Sequence, residues 1–358
     1  MKEKELKKNS IKNFVISGVI FIGLIFLTFW LIFKDQDMGE VMGVVQQANL
    51  WWILGGLLLM LGYFLVQSWN VKTILGSFGE KLTLRKAFKF TLIEFFFCAL
   101  TPSASGGQPV EIYYMTKEGI SGSSATMAIF VQLCGYQISV VLLGIIAVLF
   151  LPYKIPSGVH MFFTIGLLIN VAALVILLTC VFSQKVSQVV VKWVIKLARR
   201  LKYKKVDQMQ QRLEEGLEQY AKSARYIKEH KKEFVVAILR VLLQVTLYFL
   251  VPFCIYSAFG LNEHNVIELF AMQSVLFLAT AGFPIPGAVG LSETVFLALY
   301  GTVFGEELIN SAMLLNRGVT FYGFVIIGLL VVVGNIIFLR IRAKRTKKKG
   351  QLSDKGAE

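Results

Sequence analysis

Long stretches without a charged side chain constrain the fold of this chain more than any other feature. Stretches of 20 residues or more include residues 14–33, 41–71, 119–153, 155–184 and 318–339. An α-helix needs about 20 apolar residues to cross about 30 Å of hydrocarbon. The sequence therefore predicts an all-α polytopic integral membrane protein. It excludes a soluble enzyme, a disordered tail protein and a β-barrel, whose strands alternate in polarity over about 10 residues.

The basic residues flank the apolar stretches and indicate an orientation. Six full transmembrane helices are predicted, at residues 14–33, 51–71, 124–150, 160–182, 234–256 and 311–339. Most of the 37 Lys and Arg residues fall in segments 1–12, 72–89, 184–233 and 340–358. Because cytoplasmic loops carry the excess of Lys and Arg, both termini are predicted to be cytoplasmic. The net charge of +15 therefore indicates orientation and lipid contact, and no nucleic acid partner is expected.

Two further apolar regions are each interrupted by Pro and Gly. Region 87–118 breaks at residues 101–109, and region 266–305 breaks at residues 282–290. Each arm holds about 12–16 residues, too few to span a membrane comfortably. The pattern predicts two re-entrant hairpins with their breaks inside the membrane. The alternative is two pairs of short, Pro-kinked spanning helices.

The order of these segments predicts an inverted-topology repeat. One half covers residues 14–151 and the other covers residues 160–339, and each contains two spans, a hairpin and a third span. An odd number of spans in each half turns the second half upside down. Broken helices at corresponding positions of two such halves indicate a transporter binding site near the membrane midplane. Basic tails at 1–13 and 340–358 flank the two halves.

A basic insertion at residues 184–233 separates the first span of the second half from the next one. Apolar residues recur in it at helical spacing between Lys and Arg residues. This pattern is typical of an amphipathic helix on anionic phospholipid headgroups, which we expect as partners of the basic segments. A solvated helical linker is the alternative. A homo-oligomer or a lipid-modifying enzyme partner is also compatible with the sequence.

The hairpin tips are candidate anion sites. A helix that restarts inside a membrane presents free N–H groups and a positive dipole end, for which a phosphate is a natural partner. Ser292 is a plausible N-cap for the second tip, and Pro109 suits the first helical position at the other. Alternatively, the tip residues only cap their own helices. The tip residues predicted to bind substrate are Ser103, Ser105, Gly106, Gly107, Gln108, Pro286, Gly287, Gly290 and Ser292.

Charged side chains at membrane depth are costly and are functional candidates by default. They are Glu94, Glu111, Arg240, Glu293 and Arg317. The arginines suit a lipid phosphate, and the three glutamates are candidate sites for an amine or a proton. Internal Arg–Glu pairing that only locks the bundle is the alternative, and Arg240 could snorkel to the membrane edge. Amides inside the spans, among them Gln67, Asn70, Gln132 and Gln244, are interpreted in part as interhelical contacts.

Signals for catalysis, cofactors and metals are weak. The four cysteines lie singly in apolar segments, and the three histidines lie in loops or at span ends. No metal-ligand spacing, nucleophile motif or nucleotide-binding loop occurs. We therefore expect no cofactor, no metal and no catalytic residue.

The two hairpin breaks resemble those of a known family. Residues 101–111 (TPSASGGQPVE) and 284–293 (PIPGAVGLSE) are similar to the paired motifs of the flippase-like membrane domain of lysylphosphatidylglycerol synthases. Those motifs are Pro-x-x-x-Gly-Gly followed by an early Glu, and Pro-x-Pro-Gly-Gly-x-Gly followed by Glu. Ala288 stands where the second motif has its second Gly. The resemblance covers residues 14–340.

The resemblance implies a lipid translocase, a flippase or scramblase, in the bacterial cell membrane. Its substrate would be an anionic or aminoacylated phospholipid such as lysylphosphatidylglycerol, and its role would be in surface charge and resistance to cationic peptides. The family's lysyltransferase activity resides in a soluble domain that we expect this chain to lack, with only a short tail after Arg340. The alternatives are an ion-coupled transporter of a small solute and a membrane scaffold for a lipid-modifying pathway.

Overall fold

The computed structural model describes residues 38–150, 155–182 and 229–335, together with single positions within 19–30 and 189–211. Most of the predicted span 14–33, most of the basic insertion 184–233 and both terminal tails lie outside the described residues. Eleven helices are numbered in chain order: α1 (Met38–Gln47), α2 (Leu50–Ser77), α3 (Leu84–Leu100), α4 (Gly107–Lys117), α5 (Gly122–Phe150), α6 (Ser157–Phe182), α7 (Lys231–Phe249), α8 (Val251–Ala258), α9 (Val266–Thr280), α10 (Leu291–Arg317) and α11 (323–335).

The described part of the chain is helical and contains no strand. Five helical segments in it are long and apolar enough to cross a membrane: α2, α5, α6, the pair α7–α8 and the pair α10–α11. The prediction of an all-α polytopic membrane protein is confirmed. Pro252 separates α7 from α8, because it lacks an N–H and interrupts the helical hydrogen bonds. α2 and the α7–α8 pair pack together along their lengths.

Helix α1 was not predicted from the sequence. Val41 is its only buried residue. A tertiary contact holds it, because the Ser311 hydroxyl donates to the Val41 carbonyl at 3.2 Å and α1 packs on α10. A helix this short is marginal in isolation, so the sequence alone gave little signal for it.

The interrupted regions have the short arms that the sequence predicted. α3 and α4 contain 17 and 11 residues, and α9 contains 15 residues. At 1.5 Å per residue these arms measure about 16–26 Å, less than the hydrocarbon thickness. Gly305, with φ 71°, breaks α10 and separates the second arm of the later hairpin from the last span. These lengths support re-entrant hairpins, and the division into two inverted halves stays a prediction.

The two hairpin tips meet. The 3-10 turn Pro102–Ala104 of the first hairpin packs against the 3-10 turn Pro286–Ala288 of the second, which also contacts α3. Val289, just after the second turn, is buried in an apolar cluster with Ile93, Phe96 and Phe321. Each break is therefore held by residues of the opposite half of the chain.

Ion pairs connect the two arms at one end of the first hairpin. Glu118, just after α4, accepts hydrogen bonds from Lys86 at 2.8 Å and from Lys89 at 3.5 Å. The Lys86 hydrogen bond lowers the pKa of Glu118 below its ordinary value. Lys89 also donates to the Asn335 side chain at 3.3 Å, which ties the base of the hairpin to the end of α11. The base of the first hairpin and the end of the last span therefore lie at the same end of the bundle.

Candidate functional site

Both hairpin tips have the same backbone construction. Each is a three-residue 3-10 turn that starts with Pro and ends with an Ala in the left-handed region, Ala104 at φ 52° and Ala288 at φ 50°. A side chain with a Cβ adopts this region at a cost of about 1–2 kcal/mol. Strain of this kind persists where the surrounding structure fixes the backbone, and it is concentrated at ligand clamps and switch regions. Gly287 and Gly290, at φ 59° and 88°, continue the left-handed path of the second tip.

Replacing Ala288 by Gly is expected to stabilise the protein by about 0.5–1 kcal/mol. The substitution removes the left-handed strain, and the greater entropy of unfolded Gly offsets part of the gain. Thermal unfolding in detergent measures the change. The matched control is Ala312→Gly, at a buried helical position of α10, which should destabilise. A lower unfolding temperature for Ala288→Gly would contradict the strain at this tip.

The second tip carries a buried ion pair, which we call the Arg317 cluster: Gly287, Gly290, Glu293, Arg317 and Tyr322. Arg317 Nε donates to Glu293 Oε1 at 2.7 Å, and a terminal guanidinium nitrogen donates to the Gly287 carbonyl at 3.1 Å. Glu293 also accepts from the Tyr322 hydroxyl at 2.8 Å and from the Gly290 N–H at 2.7 Å. Glu293 is 1% exposed and Arg317 is 6% exposed.

Two details of the Arg317 cluster differ from the sequence analysis. The N-cap of α10 is Gly290, whose N–H bonds to Glu293, and Ser292 lies one residue inside the helix. The plausible N-cap role of Ser292 was therefore wrong. Tyr322 was missed. A π-helical turn over Gly318–Tyr322 follows Arg317 and places the Phe321 ring 4.2 Å from the guanidinium. Turns of this type are rare and frequent at functional sites, but they have no reliable sequence signature.

The first hairpin carries a pair of glutamates. Glu94 of α3 is partly buried, and both of its carboxylate oxygens accept amide hydrogen bonds, from Gln67 at 2.5 Å and from Gln108 at 3.2 Å. Glu111 lies one turn after Gln108 on the same face of α4. Glu111 is 1% exposed, and neither of its oxygens has a hydrogen-bond partner among the described residues. Such a group is rare in native structures and calls for an explanation.

The two arms of the first hairpin are in close contact beside Glu94. A Cβ on Gly107 would overlap the Cys98 sulfur and would lie 2.6 Å from the Glu94 carbonyl oxygen. The first residue of α4 therefore rests directly on α3. α4 begins at Gly107, so Pro109 is its third residue. The sequence analysis had placed Pro109 at the first helical position, which was wrong. The N–H of Gly106 donates to the Thr101 hydroxyl at 2.9 Å, so Thr101, the first residue of the predicted break, also shapes the tip, although it was not among the predicted site residues.

A chain of buried amides leads away from Glu94. Asn70 donates to Gln132 at 2.7 Å, Gln132 donates to Gln244 at 2.9 Å, and Gln244 donates to Gln67 at 3.0 Å. Gln67 in turn donates to Glu94. All four amides are less than 9% exposed, and they come from α2, α5 and α7. Each N–H2 group points toward the carboxylate, so the amide dipoles in the chain share one direction.

Arg240 lies at a different place from the tips. Its guanidinium stacks over the Trp69 ring at 4.4 Å, and it lines a cavity of about 260 Å³ with Lys232, Phe234 and Val131. This cavity lies between α2, α5 and α7, near the start of α7. Arg317 and Arg240, which the sequence grouped as candidate phosphate ligands, therefore belong to two separate places.

The remaining predicted residues lie in or beside the tips. Ser103 is in the first 3-10 turn, and the Ser105 hydroxyl donates to the Pro102 carbonyl at 2.9 Å. Pro286 starts the second turn and is buried. The structure thus brings the residues of the two tips together. Glu94 and Glu111 belong to the first hairpin, and the Arg317 cluster lies at the second tip. Within the described residues, no group of three His, Cys, Asp or Glu side chains could hold a metal ion.

Comparison with known proteins places this chain among membrane proteins. The family described as the lysylphosphatidylglycerol synthase TM region matches residues 14–328. A UPF0104 membrane protein of Archaeoglobus fulgidus is 19% identical over 318 residues, which cover 86% of this chain and 93% of the relative. An uncharacterized MG306 homolog of Mycoplasma pneumoniae is 19% identical over 360 residues, which cover 94% of this chain and 90% of that relative.

Proposed function

This chain belongs to the lysylphosphatidylglycerol synthase transmembrane-region family, and on that premise we propose that it moves a phospholipid between the two leaflets of the membrane. The proposed substrate is an anionic or aminoacylated phospholipid such as lysylphosphatidylglycerol, the proposed location is the bacterial cell membrane, and the proposed role is in surface charge and cationic peptide resistance. The observation that carries the proposal is the meeting of two interrupted helices beside buried charges of both signs. Irregular backbone at membrane depth is tolerated where protein surrounds it or where it lines a transport pathway.

The Arg317 cluster favours a headgroup with charges of both signs. Removing one partner of a buried ion pair costs about 3–5 kcal/mol, so Arg317 and Glu293 separate readily only if a ligand replaces both partners. A lipid phosphate matches the planar guanidinium of Arg317, and an ammonium group matches Glu293. An aminoacylated phospholipid supplies both groups in one headgroup. In this proposal the lipid headgroup replaces the internal ion pair: its phosphate binds Arg317 and its ammonium group binds Glu293.

The cavity beside Arg240 is the proposed entry point for the lipid. Its lining contains two cations, Arg240 and Lys232, against one anion, Glu233, and this excess of positive charge suits a phosphate. The apolar side chains of Val131 and Phe234 suit the first part of an acyl chain. The cavity lies at the end of the bundle where α7 begins. The basic residues around this end favour its assignment to the cytoplasmic side, where anionic lipid is attracted.

Headgroup accessibility in proteoliposomes tests the proposal. Vesicles contain lysylphosphatidylglycerol, phosphatidylglycerol or phosphatidylethanolamine, and an impermeant reagent reports the outer-leaflet amine or phosphate over time. We expect the protein to accelerate the movement of lysylphosphatidylglycerol above the rate in empty vesicles. Arg240→Gln and Glu293→Gln should each slow it by roughly 10–100-fold, the effect of losing one charge-assisted hydrogen bond.

The matched control is Glu307→Gln, an exposed glutamate of α10 beyond the Gly305 break, which should move lipid at the wild-type rate. No acceleration for any of the three lipids would refute the proposal. Saturable uptake of a solute along an ion gradient would then favour the solute transporter. Co-purification of a lipid-modifying enzyme would favour the scaffold.

A further inference from the structure

Three hydrogen-bonded glutamines bring three helices together beside Glu94. Gln132 of α5 donates to Gln244 of α7 at 2.9 Å, and Gln244 donates to Gln67 of α2 at 3.0 Å. Gln67 in turn donates to Glu94 at 2.5 Å. Residues four positions apart share one face of a helix. At that spacing from its glutamine, and therefore on the same face, each helix carries a tyrosine: Tyr63 on α2, Tyr136 on α5 and Tyr248 on α7.

Ring contacts join these tyrosines to a phenylalanine of the second hairpin, and we call the four side chains the aromatic group: Tyr63, Tyr136, Tyr248 and Phe277. The ring centroids of Tyr63 and Tyr248 lie 6.0 Å apart. The ring of Phe277, on α9, lies 6.0 Å from that of Tyr248 and 6.2 Å from that of Tyr136, edge-on in both cases. Four helices therefore contribute one ring each to a single group next to Glu94.

The aromatic group lines a space between these helices. All four rings are only partly buried, and Glu94 is also only partly buried. Because the rings contact one another across four helices, the surface that they leave exposed faces a space that they share. Glu94 is tied to this space through Gln67, one turn from Tyr63 on the same helix.

Glu94 is a carboxylate inside an apolar segment without a cation of its own. Its two oxygens accept from the amide N–H2 groups of Gln67 and Gln108, which is the bonding expected of an ionised carboxylate. In the part of the chain that the structure describes, Glu94 forms no ion pair, whereas Glu293 is paired with Arg317. An ionised group in apolar surroundings is costly unless it is paired, so a cation from a ligand stabilises Glu94.

We propose that the aromatic group and Glu94 together bind the primary ammonium group of a ligand. The faces of Tyr and Phe rings attract a cation, and Glu94 supplies the opposite charge. A phosphate fits this place poorly, because the carboxylate repels it. A divalent metal ion also fits poorly, because it needs several oxygen ligands, and the described residues contain no group of three His, Cys, Asp or Glu side chains that could hold one.

The lipid nature of the ligand rests on the proposed function, and the position of the aromatic group agrees with it. Arg240, Gln244 and Tyr248 follow one another at four-residue spacing on α7, so Tyr248 lies about 12 Å along the helix from the cavity beside Arg240. In the other direction the Arg317 guanidinium lies 4.2 Å from a ring that ends a series of contacts of 5.1–6.1 Å: Tyr63, Phe64, Phe95 and Phe321. The ammonium group of a lipid headgroup therefore binds here between the entry cavity and the Arg317 cluster.

Binding to the purified protein in detergent tests the ammonium site without a transport assay. Titration calorimetry compares three soluble probes: dihexanoyl lysylphosphatidylglycerol, dihexanoyl phosphatidylglycerol, which has the phosphate but no amine, and lysine ethyl ester, which has the amine but no phosphate. We expect the first to bind about tenfold more tightly than the second, the size of one desolvated cation–π contact. Equal affinities for these two lipids would overturn the ammonium site. Binding of lysine ethyl ester with no binding of either lipid would support the site and refute its lipid ligand.

Substitutions of Tyr248 separate its ring from its hydroxyl. Tyr248→Leu should weaken the binding of dihexanoyl lysylphosphatidylglycerol about tenfold, whereas Tyr248→Phe, which keeps the ring, should bind within about twofold of the wild type. The matched control is Tyr113→Leu, at an exposed tyrosine of α4, which should bind like the wild type. Wild-type affinity in Tyr248→Leu, or an equal loss in Tyr248→Phe, would overturn the cation–π contact. If Tyr248→Leu does not fold, the pair Tyr63→Leu and Tyr63→Phe provides the same comparison.

The charge of Glu94 has its own test. Glu94→Gln keeps a side-chain acceptor for an amide and removes the charge, so it should weaken the binding of dihexanoyl lysylphosphatidylglycerol about tenfold and leave that of dihexanoyl phosphatidylglycerol no weaker. Equal weakening of both probes would refute an ammonium contact at Glu94.

Transport distinguishes this inference from the proposed function. In proteoliposomes Tyr248→Leu should slow lysylphosphatidylglycerol more than phosphatidylglycerol. If the wild type moves both lipids equally fast and Tyr248→Leu slows both alike, the ammonium site is overturned and the lipid translocase stands. If no lipid moves while the binding results are as expected, only the lipid translocase is refuted.

Discussion

Replacing Gly166 by Ala is expected to destabilise the protein by about 3 kcal/mol, at the upper end of the cost of overpacking a core. Gly166 lies in α6, where a Cβ would overlap the carbonyl oxygen of Leu278 in α9 and lie 2.8 Å from its carbonyl carbon. The obstacle is backbone, so no side-chain rotation relieves the overlap. The substitution pushes α9, the first arm of the second hairpin, away from α6.

Thermal unfolding in detergent, followed by intrinsic fluorescence, measures this effect. The matched control is Gly158→Ala in the same helix, where a Cβ would meet nothing within 4 Å. We expect Gly158→Ala to unfold at or slightly above the wild-type temperature, because Ala favours helix. Equal unfolding temperatures for the two variants would show that α6 and α9 do not lie in direct backbone contact.

Replacing Arg317 by Met is expected to cost about 3–5 kcal/mol of stability, because it leaves the Glu293 carboxylate buried without its cation. Glu293 would keep its bonds to Tyr322 and Gly290, but the Gly287 carbonyl would lose its donor. The double variant Arg317→Met with Glu293→Gln should recover most of the loss. The Gln side chain keeps an acceptor for the Gly290 N–H and carries no charge to be compensated.

Lys86→Met is the matched control for Arg317→Met. Lys86 also binds a glutamate, but its side chain is 48% exposed and solvent screens the pair, so the loss should stay below about 1 kcal/mol. The unfolding temperature in detergent is measured for the wild type, Arg317→Met, the double variant and Lys86→Met. If Arg317→Met unfolds like Lys86→Met, Glu293 does not depend on a buried cation. If the double variant is as unstable as Arg317→Met, the loss arises from packing around the Met and not from the charge of Glu293.

Some features of the candidate site follow from local sequence. Pro and Gly between short apolar arms predicted both breaks, because Pro lacks an N–H and Gly enters the left-handed region. The structure places 3-10 turns in the predicted breaks, at Pro102–Ala104 and Pro286–Ala288. Glu94, Glu111, Glu293 and Arg317 were identified as candidates because a charge within an apolar segment is conspicuous at any position.

The partners of those charges were not available from local sequence. Glu293 is joined to Arg317 by a hydrogen bond across 24 positions of the chain, and Gln67 meets Gln244 across 177 positions. The π-helical turn that brings Tyr322 to Glu293 depends on packing around Phe321. Arg317 and Arg240 have the same side chain, and nothing in the local sequence distinguishes them. The packing of the helices places Arg317 in the ion pair with Glu293 and Arg240 beside the cavity.

The amino-acid sequence is sufficient to identify this chain as a helical membrane protein with two interrupted apolar regions and a small set of charges within apolar segments. These properties follow from the length and polarity of consecutive residues, because those two quantities decide whether a segment can cross a bilayer. Three features are visible only in the folded chain: the two breaks meet, Glu293 is paired with Arg317, and Glu111 has no hydrogen-bond partner among the described residues. Those features depend on which helices lie side by side. Helix packing in a membrane is set by close contacts between small residues and the neighbouring helix, such as Gly166 against Leu278 and Gly107 against Glu94. The order of residues along the chain does not show which of these contacts form.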